Sequence, residues 1–201
     1  MWTWLLRDWH WPAASLFASA FLLALTPLFV ELGGLPLALV YLQLPIYMFH
    51  QGEEHLGDRF RLYINGALGS GRELLTPTTT FWINSAGVWA VDLAALYLAW
   101  AVHVSAGLTA AYLTVVNGVS HIGMAIARRE YNPGLVSAAL LFLPAGGWCL
   151  LEVGSQSSLQ AHAAGIVAAV AIHVCIIVIL VRRLKGLPQA KPLEASGDAD
   201  G

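Results

Sequence analysis

Long stretches almost free of charge constrain this chain more than any other feature. A bilayer core of about 30 Å requires about 20 apolar residues in a helix. Six stretches meet or approach that length, at approximately 11–30, 34–50, 80–102, 105–127, 134–152 and 158–181. Backbone polar groups in lipid must be paired within the protein, which restricts spanning segments to helices and closed barrels. None of the stretches alternates polar and apolar residues as barrel strands do, so the sequence predicts an all-α polytopic transmembrane bundle of about six spans. The first stretch has two marks of a secretory signal, Arg7 ahead of it and the triplet Ala18, Ser19, Ala20 within it. Its apolar run continues to Val30, too far for a signal core, and it is read as a span.

The basic residues fix an expected orientation. With six spans, the N-terminus, the segments after spans two and four, and the C-terminus share one side. Arg7 lies in the first of these, Arg59, Arg61 and Arg72 in the second, Arg128 and Arg129 in the third, and Arg182, Arg183, Lys185 and Lys191 in the fourth, which accounts for all 10 Lys and Arg residues. Positive charge accumulates on cytoplasmic loops, so both termini are expected in the cytoplasm of a multi-pass protein of the cell membrane. Residues 1–183 form the expected transmembrane domain, with 55–79 as an interfacial cytoplasmic loop covering the end of span two. Residues 184–201, rich in Gly, Pro, Ala and Asp, are expected to be a disordered tail. Trp2, Trp4, Trp9 and Trp11 suit a headgroup belt, and Pro45 is expected to kink span two. A net charge of −2 argues against a nucleic-acid partner. Cys149 and Cys175 lie in apolar runs and read as small hydrophobes.

Against this background the stretch "YMFHQGEEHLGDRF", residues 47–60, stands out. At about 100° per residue, His50 and Glu54 fall about 40° apart with Glu53 about 60° to the other side, whereas His55 points about 140° away and is not expected to join them. Span four carries a second i, i+4 pair, Asn117 and His121, and Asn84 lies about one turn into span three. All six residues are expected at similar depth near the cytoplasmic face. Ionisable groups at such depth are costly unless paired and facing the interior.

Neutral imidazole and carboxylate are the usual ligands of Zn, Fe or Mn. His50, Glu54 and His121 are therefore the candidate metal ligands. Glu53 is a candidate base or outer-shell partner, and Asn84 and Asn117 are candidates to orient water or substrate. The expected function is that of a metal-dependent membrane enzyme acting on a lipid-like or otherwise apolar substrate, by hydrolysis or by oxidation. Two alternatives stay open: a proton-coupled carrier using the Glu pair, Asp92 and His173, and a non-catalytic lipid-binding protein in which the motif is a polar clasp.

"HQGEE" at 50–54, "NGVSH" at 117–121 and "YNPG" at 131–134 together resemble the HXXEE-motif family of small polytopic membrane proteins. The resemblance implies a multi-helix membrane domain with His50, Glu53 and Glu54 as signature residues, and it groups Asn117 and His121 with them. It implies no reaction.

Overall fold

The computed structural model describes residues 10–187. Within them the chain is a helix bundle: α1 (Trp11–Ala24), α2 (Thr26–His55), α3 (Arg59–Ala67), α4 (Pro77–Asn84), α5 (Ala90–Ala101), α6 (Leu108–Arg128), α7 (Leu135–Ser137), α8 (Leu143–Gly154) and α9 (Leu159–Gly186). Among the described residues, five helical runs are long and apolar enough to cross a membrane: Thr26–Ala67, Pro77–Ala101, Val104–Arg128, Leu135–Gly154 and Leu159–Gly186. Trp2, Trp4, Trp9, Arg7, Lys191 and most of the expected tail lie outside the described residues.

The expected first span is formed by α1 together with the start of α2. α1 has 14 residues, and Leu25 (φ −84°, ψ −4°) barely interrupts the helix before α2 begins. The reversal comes later, at Gly34, whose φ of 70° lies in the region that glycine alone adopts cheaply. Pro36 follows at the start of the returning leg, where its missing N–H costs nothing. Contacts show the legs to be antiparallel. Phe29 stacks on Tyr41 at 3.8 Å, the Tyr41 hydroxyl donates to the Leu22 carbonyl, and Trp11 meets His55 at a ring separation of 5.0 Å. The first two apolar stretches are thus one helical hairpin.

α2 keeps helical dihedrals through Pro45, its only non-helical residues being Gly33 and Gly34. One expectation is corrected. Trp11 is no belt residue; it is buried against His55, Phe81 and Trp89, because the hairpin returns the start of α1 to the end of α2. α9 also runs to Gly186, past the expected span end at 181.

α6 runs through the centre and packs on α2, α5, α8 and α9. Its face of Leu108, Ala110, Ala111 and Leu113 is buried because small residues let the neighbouring backbones come close. Two π-helical turns, Ser85–Trp89 between α4 and α5 and Ala138–Phe142 between α7 and α8, shift the register of their helices. Each begins within a residue or so of a side chain that builds the polar centre, Asn84 in one case and Ser137 in the other.

The end of the bundle that holds the motif is roofed by α3 and the turn that follows it. Asn65 pins this roof, accepting from the Leu75 N–H at 2.8 Å and donating to the Leu75 carbonyl at 3.0 Å. Phe60 stands over the motif, 5.9 Å from the His55 ring and 5.6 Å from that of His121. At this end Arg61 pairs with Asp58 and Glu73, and Arg128 with Glu130. Glu130 is an exposed span-end residue, and the Arg128 guanidinium and Tyr63 hydroxyl beside it hold its carboxyl below the usual glutamate value.

Candidate metal centre

The last two turns of α2 bury what the sequence marks. His50 is 0% exposed, Glu54 5% and His121, arriving on α6, 3%. His50 Nε2 lies 3.4 Å from Glu54 Oε2, and His121 Nε2 lies 3.2 Å from Glu54 Oε1. The two imidazoles meet nearly edge to face, with centroids 5.0 Å apart. Among the described residues these three form the one group whose potential ligand atoms all lie within 4.8 Å of one another.

The outer nitrogens of both rings are held, and the holding groups settle which nitrogen carries the proton. The Asn132 amide donates to the His121 carbonyl at 3.0 Å, which turns its Oδ1 toward the ring at 2.6 Å from Nδ1. His121 therefore donates from Nδ1. On the other ring, His50 Nδ1 is 2.8 Å from Ser137 Oγ, and that hydroxyl is also 2.5 Å from Glu53 Oε2. A carboxylate only accepts, so the single hydroxyl proton goes to Glu53 and Ser137 must accept from His50 Nδ1–H. Both rings thus donate from Nδ1 and turn Nε2 toward the Glu54 carboxylate, and the His50 Nε2 is buried without a hydrogen-bond partner.

Three lone-pair donors facing one another in a dry site repel unless something positive lies among them. Ligands about 2.0–2.1 Å from a tetrahedral ion stand about 3.3 Å apart. The separations of 3.2 and 3.4 Å, one to each Glu54 oxygen, are of that order.

Glu53 is fully engaged. Its Oε1 accepts from the Tyr131 hydroxyl at 2.8 Å and the Val136 N–H at 3.1 Å, and its Oε2 accepts from the Ser137 N–H at 2.7 Å as well as from the Ser137 hydroxyl. It ties the 131–137 segment to α2 and acts on the centre through Ser137.

His55 belongs to the centre, against the expectation from the helical wheel. Its Nε2 lies 3.4 Å from Glu54 Oε2. The wheel fails because His55 is the last residue of α2: its own dihedrals are φ −114° and ψ −11°, and the chain turns away through Leu56 and Gly57. A directed chain of hydrogen bonds orients it. The Trp89 indole, which can only donate, bonds Gln51 Oε1 at 2.6 Å; Gln51 Nε2 donates to Asn84 Oδ1 at 2.8 Å; Asn84 Nδ2 reaches His55 Nε2 at 3.1 Å. Asn84, expected to orient water or substrate, is hydrogen-bonded to this imidazole.

Beyond the polar atoms lies a cavity of about 260 Å³, whose walls include Glu54, His55, His121, Asn117 and His173 among aliphatic side chains. Asn117 Oδ1 and His173 Nε2 are buried in this region without a hydrogen-bond partner. Asp92 does not pair with His173: both its oxygens lack partners, while His173 Nδ1 is 2.9 Å from the Ala169 carbonyl oxygen, back along its own helix. His162 and His103 are held by local bonds at the opposite end, to Tyr112 and Gly154 in the first case and to Ser105 in the second.

Residues 41–149, which contain the whole centre except His173, match a family model described as a protein of unknown function with HXXEE motif. No curated protein and no solved structure matches the chain.

Proposed function

For this chain, which belongs to the HXXEE-motif family of unknown function, we propose a metal-dependent membrane enzyme acting on a lipid-like or otherwise apolar substrate. His50, Glu54 and His121 would hold a divalent transition ion, Zn, Fe or Mn. The observation that carries this reading is the pair of buried Nε2 atoms, each on a ring held through Nδ1, directed at one buried carboxylate. Two histidines and a carboxylate are a recurrent catalytic donor set that leaves positions open. An ion held there supplies Lewis acidity and draws a nucleophile from water at neutral pH. Glu53 through Ser137, and Asn132 directly, keep the two ligand rings in register. Asn84 does the same for His55, and Asn117 offers a polar contact on the chamber wall.

The carrier reading has less support, because Asp92 is not on the chamber wall and shares no hydrogen bond with His173. The clasp reading places a proton instead of a metal ion between each Nε2 and Glu54, and the bound-metal content distinguishes the two.

Removal of the ion tests the proposal. Protein purified in detergent, stripped with chelator and assayed for turnover of a neutral amphiphile, should lose activity and regain it with one equivalent of Zn²⁺, Fe²⁺ or Mn²⁺. Unchanged turnover in fully stripped protein would refute it.

The centre is proposed to face the cytoplasm. All eight described Lys and Arg residues lie in the segments at or just beyond the motif end, 59–72, 128–129 and 182–185. Single cysteines at Gly71 and Gly186 in a cysteine-free background should resist an impermeant thiol reagent in intact cells, while one at Ser155 should label. The reverse pattern would invert the orientation.

A further inference from the structure

The openings around the chamber bear on substrate entry, an inference that rests on the metal-centre reading. α4 and α9 separate on the motif half of the bundle and leave an apolar groove of about 530 Å³ between Thr78–Gly87 and Ala171–Ile179. Ile83, Ile172 and Ile176 form walls of both this groove and the inner chamber, so only these side chains stand between the two. Ile83 lies six residues into the Pro77 run and Ile176 six before Arg182. At 1.5 Å per residue Ile83 is about 9 Å from the start of its helix and Ile176 about 9 Å from the first charged residue at the end of α9, within hydrocarbon depth.

The chamber limits what can follow this route. No Lys or Arg lines it, so away from the metal centre nothing inside would neutralise a phosphate or a carboxylate. Its volume of about 260 Å³ falls below the roughly 300–1,000 Å³ of drug-sized pockets, too small for two acyl chains side by side. The polar atoms available deep inside are unpartnered Asn117 Oδ1 and His173 Nε2 and the His/Glu centre itself. A second opening is polar: a cleft of about 340 Å³ bounded by His10, Gly57, Asp58 and Pro77. His55 and Thr80 border both this cleft and the chamber. One flank of the chamber is therefore apolar and the other polar, with His55 on the polar side.

We propose that the substrate is a neutral, single-chain amphiphile, an uncharged ester, amide or alcohol on one alkyl chain. It enters sideways from the bilayer between α4 and α9 with its polar end toward the metal centre, while water reaches the centre from the cleft at Asp58.

The test uses the full-length protein in nanodiscs with two photoreactive probes, a monoacylglycerol and a phosphatidylcholine, each carrying a diazirine near the chain end. The monoacylglycerol should label peptides containing Ile83–Val88 and Ile172–Leu180, and excess unlabelled monoacylglycerol should compete. Ile176→Trp, which fills the passage and touches no ligand, should cut that labelling at least fivefold while retaining the metal. Phosphatidylcholine should label only the outer faces, such as those of Leu151 and Val167. His50→Ala separates the two claims: it should lose the metal yet keep the label. Equal labelling by both probes, or full labelling of a folded Ile176→Trp variant, would overturn the entry route. Failure of His50→Ala to lose metal would overturn the metal centre and leave the route standing.

Discussion

Substituting alanine for Gly134 is expected to abolish metal binding while leaving the bundle assembled. Gly134 has φ 99°, and a Cβ there would lie 2.7 Å from His121 Cε1, 2.8 Å from His50 Cε1 and 2.9 Å from Glu54 Cγ. One methyl group would thus strike all three proposed ligands. None of them can retreat easily: each ring is fixed through Nδ1, to Asn132 or to Ser137, and Glu54 is on a buried helical turn. Overpacking of this kind costs about 1–3 kcal/mol, and the left-handed backbone adds about 1–2 kcal/mol for a residue with a Cβ. Both penalties fall on the centre, and an ion held by ligands displaced this far should bind at least 100-fold more weakly, judging from the 10- to 100-fold effects of outer-shell changes alone. The metal-to-protein ratio and the melting temperature in detergent, measured on the same sample, check this. A folded Gly134→Ala protein with full metal content would show that the three side chains do not converge as described.

The second large effect separates a metal centre from a polar clasp by the sign of a stability change. Glu54→Gln removes the anionic ligand and should lose nearly all bound ion. With unprotonated rings on either side, however, the new amide can donate to one Nε2, so the stripped variant should melt close to stripped wild type. If the centre were instead a clasp of protonated imidazoles around a carboxylate, the same change would leave buried positive charge uncompensated and cost about 3–5 kcal/mol. Glu53→Gln supplies the contrast. It withdraws the carboxylate that fixes Ser137, and hence His50, so metal should persist with affinity lowered about 10- to 100-fold. Equal metal loss in both variants would place Glu53 among the ligands.

Much of this was legible in the sequence because membrane crossing leaves a coarse, periodic record. Apolar length marked the spans, and counting 1.5 Å per residue from the charged ends put His50, His121, Asn84 and Asn117 at one depth. The convergence of His50, Glu54 and His121 follows from that depth matching and from the i, i+4 face of α2. What stayed hidden depends on irregular backbone. His55 reaches Glu54 only because α2 ends at it, where the helical wheel no longer applies. Ser137, Asn132 and Gly134 support the centre from a segment that is barely helical, and no periodicity points to them. "YNPG" was visible as a motif, but its role lies in a positive φ and in the space left by an absent Cβ. Trp11 looked like a membrane anchor because its partner, the end of α2, is more than 40 residues away in sequence.

The most direct test of the central claim is elemental analysis of the purified, folded protein, joined to X-ray absorption at the edge of whatever metal is found. The account predicts one Zn, Fe or Mn ion per chain, with two imidazole nitrogens and a carboxylate oxygen at about 2.0–2.2 Å. A monodisperse, folded sample that contains no stoichiometric transition metal and takes up none on loading would contradict it.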